Sequence, residues 1–474
     1  MSGCGNASSG ALTELAAVGA LNAYTSINPE KTFFAQLYRR HTNFAIAESD
    51  LQLTNAPIGS AWGAFTARST IQRMGDLLEW LFLKVKLEKL GLDTSGSPTD
   101  ADSPGLLLDP VNTRIFWTNA VGHAMINEVC LEIGGQVVDT WTGEFLQVWE
   151  RYTGKPGKYL QEMIGQFDSE EDLRDFAAQD RTLYIPLPFY FCRERSLHLP
   201  LIALQYHEVA LKVCVRARSD LICRFSGGQS EGTVDHDTDP LTEEIFVRDA
   251  PIDLSLVTGG KLLDAAITSR YVYLDTMERR IMAQQPHEFL ITQVQRHEES
   301  CPANTASKQV TLHFNHPVRQ MWWLYQEDRQ LDSTQCRYFN YGVELVDSLP
   351  HLDPSAVQPL IDPIASVSLC LNGHDRIASR DSLYFRTAIP WIHSTNIPDR
   401  FIYSYSFALH PENGDYPSGD LNLSRIDNVV MKFTMAKPDS ASTGLPNAGK
   451  LRVYAMNHQV SKIAGGMHAL RFAN

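Results

Sequence analysis

Apolar residues in this chain fall mainly in short runs of period two, the pattern of strands with one buried face. Residues 401–409 place an aromatic side chain or Leu at every second position, and Leu211, Val213 and Val215 share one face of a run over 201–215. Runs over 182–192, 271–275, 309–314 and 366–371 also read as strands. Residues 128–139 are two alternating runs joined by Gly134-Gly135, and Asn372-Gly373 closes the run over 366–371. Each pair supplies the positive φ of a tight hairpin turn. Residues 77–90 alternate less cleanly and fit a helix or a buried strand. The predicted helices are short: an Ala- and Leu-rich segment over 11–24, then 144–152 and 170–178.

Residues 28–45 are the densest stretch. Phe33, Phe34, Tyr38 and Phe44 beside Thr32 and Thr42 predict an extended, half-buried segment launched by the Asn28-Pro29 turn. Arg39-Arg40-His41 interrupts it. Guanidiniums beside buried aromatics need carboxylates or carbonyls, so this triplet is expected to form an ion-pairing knot at an interface or between sheets. The plainer alternative is a solvated charge pair on a strand edge.

The two halves carry a weak internal match. Ile133-Gly134-Gly135 parallels Leu371-Asn372-Gly373, and residues 206–213 parallel 426–433, in the same order and at offsets near half the chain. Two similar antiparallel β domains in tandem are therefore expected. The polar loop over 93–105 must lie on a surface, and the polar stretch from Ser226 separates the halves. The predicted division is an N-terminal arm over 1–26, a first β domain over 27–228, a linker over 229–250 and a second β domain over 251–474.

With 474 residues and 43% hydrophobic content, the chain can bury two large cores. A net charge of −14 argues against a phosphate-neutralising surface, so no direct nucleic-acid binding is expected. The eight cysteines show no metal-ligand spacing and several sit inside apolar runs, which predicts reduced core residues. No stretch is long and apolar enough to span a bilayer.

Motif-borne chemistry is absent. There is no phosphate-binding loop, nucleophile elbow, zinc-protease helix or dinucleotide-binding glycine pattern. Asp235, Asp237 and Asp239 alternate as in a calcium loop, but Pro240 stands where the turn needs Gly and Phe246 where the loop needs a bidentate Glu. A solvated acidic linker is the expectation. No catalytic, cofactor-binding or metal-binding residue is predicted. A carbohydrate-binding or glycoside-processing protein would need aromatic platforms, for which Trp322-Trp323 is the visible candidate and core packing the competing explanation.

Residues 28–45, Trp117 to Ala124 with Ile133-Gly134-Gly135, 184–189 through 201–209, 273–280, 371–376, 403–409 and 422–428 together closely resemble the major capsid protein of nucleocytoplasmic large DNA viruses. The resemblance implies an all-β double jelly roll: two tandem eight-stranded jelly rolls, short helices in loops and a short N-terminal helical arm. It implies a structural role, not an enzyme, with no cofactor. Three chains would form a pseudo-hexameric homotrimer that tiles an icosahedral shell in the virion, assembled in the host cytoplasm. Implied partners are neighbouring capsomers and minor capsid, cement and penton proteins, with the N-terminal arm toward an inner membrane. A minor capsid component is the nearer alternative, but both halves are complete here. Arg39, Arg40, His41 and Arg425 are the interface candidates.

Overall fold

The structure, a computed structural model, describes residues 7–35, 38–92, 113–155, 157–158, 160–167, 170–227, 246–247, 257–331, 338–342, 362–398, 401–414, 416–436 and 447–472. The loop over 93–105 and the acidic run over 235–239 lie outside the described residues, as does all of the 229–250 linker except Phe246–Val247, which pairs with Ile222–Gly227.

Residues 1–43 form one compact unit and residues 44–474 a second. In the first, α1 (Ala7–Ala16) precedes a 3-10 turn at Ala20–Tyr24, and Leu12, Leu15, Leu21 and Tyr24 are exposed. The expected half-buried strand over 28–45 does not form there. Phe33, Phe34 and Tyr38 are 86%, 99% and 81% exposed, and the strand begins only at Phe44. Aromatic content marked the stretch correctly as apolar, but propensity alone supplies no partner strand.

The second unit is built from antiparallel strands. Its first half contributes β1 (Phe44–Gln52), β2 (Phe65–Ile71), β3 (Leu77–Leu87), β4 (Ile126–Ile133), β5 (Gln136–Thr142), β6 (Arg181–Pro186), β7 (Val209–Val215) and β8 (Leu262–Leu274). Its second half contributes β9 (His287–Cys301), β10 (Ser307–Leu312), β11 (Pro317–Glu327), β12 (Ile364–Leu371), β13 (His374–Asp381), β14 (Tyr403–Ser406), β15 (Val429–Met435) and β16 (Gly449–Ala464). The main sheet paths are β1-β8-β3-β6 and β2-β7-β4-β5, then β9-β16-β11-β14 and β10-β15-β12-β13. The second pair of orders repeats the first strand for strand. Each half is a jelly roll.

The repetition reaches individual bonds. Ile133 opposes Val209 and Leu371 opposes Val429. The Gly134 N–H donates to the Glu208 carbonyl at 2.8 Å, as the Asn372 N–H does to Asn428 at 2.8 Å. Gly134 and Gly135 have φ of 61° and 81°, Asn372 and Gly373 of 49° and 83°, so both hairpins turn through the left-handed region as expected.

Residues 77–90 resolve as the buried strand β3, with Leu81, Leu83, Val85 and Leu87 turned inward and Lys84 and Lys86 outward. The run over 182–192 breaks at Pro186, where the strand stops, and Tyr190–Arg193 is one helical turn. Likewise the run over 201–215 opens with a 3-10 turn at Leu201–Ala203 and becomes strand only at Val209. Its Leu residues fit a strand as well as a turn because a short apolar run does not disclose its period. Five of the six described cysteines are buried.

One strand sits across the expected domain division. β8 lies between β1 and β3, with Ala47 opposite Tyr271 and Leu83 opposite Ile267. A boundary at 250/251 would strip the first jelly roll of a central strand. The helix α2 (Gly143–Thr153) follows β5, and α3 (Thr276–Gln284) follows β8.

Candidate functional site

The chemistry concentrated in this chain lies where the two jelly rolls meet. Thr142 ends β5 and caps α2, its Oγ1 accepting from the Phe145 N–H at 3.2 Å. Within the helix Phe145, Trp149 and Tyr152 recur at helical spacing and so project from one face. That face meets β11 and β16 of the second jelly roll. The rings of Phe145, Trp149 and Tyr152 lie 5.3, 6.2 and 6.2 Å from Trp322, all edge-on, and Phe145 lies 4.9 Å from Tyr454. Such edge-to-face pairs add roughly 0.5–1.5 kcal/mol each beyond their area.

This contact explains a feature of β11. Its residues from Val318 to Glu327 are all buried, because Trp322 faces α2 while Trp323 packs inward on Phe385 and Tyr403. A strand covered on both faces loses its alternation. Trp322 and Trp323 are 1% and 0% exposed, so they offer no platform to a sugar.

Inside the seam is an ion network. Arg452 of β16 is 6% exposed and donates from Nη1 to Glu144 Oε1 at 2.6 Å and to Gln326 Oε1 at 2.8 Å, with Nε 3.2 Å from Glu298 Oε2. The Tyr454 hydroxyl donates to Glu144 Oε2 at 2.5 Å, and Lys450 holds the other oxygen of Glu298 at 3.1 Å. Desolvation works against the charge on Arg452, yet Glu144, Tyr454 and Glu298 hold its pKa above the ordinary value. Burial opposes ionisation of Glu298 too, but Arg296, Lys450 and Arg452 bring its pKa down to about 2.

Asp139 adds a second polar link. Its carboxylate accepts from Trp141 Nε1 at 2.7 Å and from the Val294 N–H of β9 at 3.1 Å. Burial pushes its pKa up to about 6 despite those donors. Gln293 Nε2 donates to the Val138 carbonyl, and Tyr152 Oη to the Ile402 carbonyl at 3.2 Å. The charged groups named here are each tied to a structural partner. No cluster of three or more metal-ligating side chains occurs among the described residues.

The residues singled out in the sequence lie elsewhere. Arg39, Arg40 and His41 are exposed in the N-terminal unit, where His41 Nδ1 meets the Thr42 carbonyl at 2.8 Å. Arg425 is exposed at the end of the 3-10 turn Leu423–Arg425. The ion pairs among the described residues do not include Arg39, Arg40 or Arg425. Sequence reasoning missed Glu144, Arg452 and Tyr454. The available signal was Arg452 itself, a lone charge inside the apolar run from Leu451 to Met456.

Comparison with known proteins covers nearly the whole chain. Residues 32–275 match the family described as major capsid protein N-terminus, and residues 278–469 that described as large eukaryotic DNA virus major capsid protein. A major capsid protein of Phaeocystis pouchetii virus is 30% identical over 98% of this chain and 100% of its own length. That of Paramecium bursaria Chlorella virus 1 is 29% identical over the same shares. A solved structure titled as the PBCV-1 virus capsid superposes with a TM-score of 0.68 at 26% identity, covering 94% of this chain and 100% of the other.

Proposed function

The chain belongs to the major capsid proteins of large eukaryotic DNA viruses, and from that membership we propose that three copies close into one pseudo-hexameric capsomer. Members of this family are structural proteins of the virion capsid, not enzymes. The observation that carries the trimer is the repeated strand order within one chain. Three chains with two near-equivalent jelly rolls present six similar units around a threefold axis, an outline that tiles a flat facet. Closed symmetry makes the capsomer, and heterologous contacts between capsomers extend the shell.

The division between the jelly rolls belongs near Asp275, after β8 and before α3. In this reading the seam around α2 sets the angle between the two halves, and hence the shape of the capsomer. The N-terminal arm over residues 1–26 is proposed to meet a neighbouring chain, minor capsid, cement and penton proteins, or an inner membrane during assembly in the host cytoplasm. Arg39, Arg40, His41 and Arg425 are the proposed structural or interface contacts.

Light scattering with negative-stain imaging tests the assembly. The expected result is a particle of three times 53.1 kDa with a hexagonal outline. A folded monomer at micromolar concentration overturns the capsomer. On the same reading, Arg40→Ala lowers the trimer yield without altering the monomer's circular dichroism; unchanged yield and melting remove Arg40 from the interface.

A further inference from the structure

The internal repeat holds residue for residue in the strands beside the seam. β3 and β11 are both 11 residues long, and both shift register at the same place, between Leu78 and Trp80 in one and between Val318 and Gln320 in the other. Both also take a short extra strand at their first two residues, Leu77 opposite Pro200 and Pro317 opposite Asn422. Phe82 of β3 therefore stands where Trp322 stands in β11, and each lies on the outward face of its sheet.

The helices that follow β5 and β13 correspond in the same way. Thr142 ends β5 and accepts from the Phe145 N–H at 3.2 Å, and Asp381 ends β13 and accepts from the Leu383 N–H at 2.6 Å. Counted from those caps, Trp391 in the helical segment 382–393 takes the place of Tyr152 in α2, and Leu383 that of Glu144. Tyr152 is fully buried, its ring 6.2 Å from Trp322. Trp391, by contrast, is 76% exposed, and Leu383 and Ile392 of the same segment are 49% and 59% exposed. The segment itself is anchored, because Phe385 on its inner side packs against Trp323 at 5.2 Å.

The sheet face that corresponds to the one under α2 is also partly open. Phe82 is half-buried and stacks on Trp80 at 5.8 Å, and Tyr184 of β6 and Ile46 of β1 are 41% and 40% exposed. Arg452 lies opposite Leu324, and in the matching place Ala266 lies opposite Lys84. Leu383 and Ala266 thus stand where Glu144 and Arg452 form their buried pair. Both charges are replaced together, which suits an apolar contact at this place, since one charge left alone would be desolvated without a partner. Lys84 is matched by Asp50 at 2.7 Å.

We propose that the exposed side of segment 382–393 docks on the outward face of β3 and β6 in a second copy of this chain, with Trp391 against Phe82 and Trp80. The contact repeats between copies the one that α2 makes on the second jelly roll within a single chain. It rests on the trimer proposed above and names the surfaces that close it. Each copy then offers a helix to one neighbour and a sheet to the other, a heterologous contact that closes at three. A buried aromatic anchor of this kind carries much of the binding energy of an interface.

Light scattering of the intact chain across a dilution series tests the contact. Trp391→Asp and Phe82→Lys should each keep the wild-type circular dichroism and raise at least tenfold the concentration below which the trimer dissociates. Both substitutions in one chain should recover part of that loss, because opposite charges then face each other between copies. Wild-type dissociation in Trp391→Asp overturns the contact, leaves the capsomer standing and assigns the exposed side to a different partner. A wild-type monomer removes the capsomer and the contact together. No recovery in the double variant overturns the pairing of these two surfaces. If Phe82→Lys does not fold, oxidative footprinting of the wild-type chain decides: protection of Trp391 in the trimer relative to the diluted monomer supports the contact, and undiminished oxidation overturns it.

Discussion

At the residue scale, the seam between the jelly rolls is a buried charge network whose members depend on one another. Deleting one partner of such a pair leaves the other desolvated, a cost of roughly 3–5 kcal/mol. Arg452→Met should therefore lower the unfolding free energy by about that amount in urea titrations, and Glu144→Gln in the same chain should recover part of it. Buried histidines give the pH dependence its sign. Gln147 Nε2 donates to Gln166 at 3.0 Å, so its Oε1 accepts from His123 Nδ1 at 2.7 Å. Burial lowers the pKa of His123 to about 4, as it does for His468 and His458. A base depressed on folding contributes stability above its unfolded pKa of about 6.5 and loses it as pH falls toward 4. Asp139 acts in the opposite sense: raised to about 6, it favours the fold at low pH and loses that contribution as pH rises through 6. The melting temperature should fall between pH 6.5 and 4, and His123→Gln should flatten the slope. An equal slope in that variant would place the titration elsewhere.

Among elements, the two hairpin turns make a controlled comparison. Gly373 has φ 83° and open space around its absent Cβ, so Gly373→Ala should cost only the left-handed penalty of about 1–2 kcal/mol. Gly134 has φ 61° and a Cβ there would sit 2.4 Å from the His207 ring. Gly134→Ala should cost more, with the difference read from paired denaturant midpoints. Gly143 is harsher still, since a Cβ would fall 2.1 Å and 2.3 Å from the carbonyl oxygens of His123 and Ile126. These turns, with β4, β5, β7 and α2, were legible because a two-residue turn or a period shows locally, whereas residues 77–90 fitted helix and buried strand equally until β3 was seen. Pro186 and the 3-10 turn at Leu201 were hidden in apolar runs that read equally well as strand. The seam was not legible, because Glu144 and Arg452 meet only through the fold. Sequence reasoning sought the polar site at Arg39 and Arg40, where charges were adjacent in the chain, and the fold assembled another from residues more than 300 positions apart.

For the whole molecule, the repeated sheet order means that both halves of the chain present the same strand path. It also imposes an order of events on the ribosome. Among the described residues β1 is hydrogen-bonded in its sheet only to β8, Phe44 opposite Leu274, so the opening strand waits for its neighbour until about 230 more residues have been made. β9 then repeats the wait for β16, His287 opposite Ile463. During each interval a long strand edge has no native partner, and in a crowded cell it competes with every other nascent copy for pairing. A protein made in the quantities a shell demands thus passes twice through a window in which misassembly rivals folding, and protection of that edge, rather than the strength of the finished core, limits how fast sound subunits accumulate.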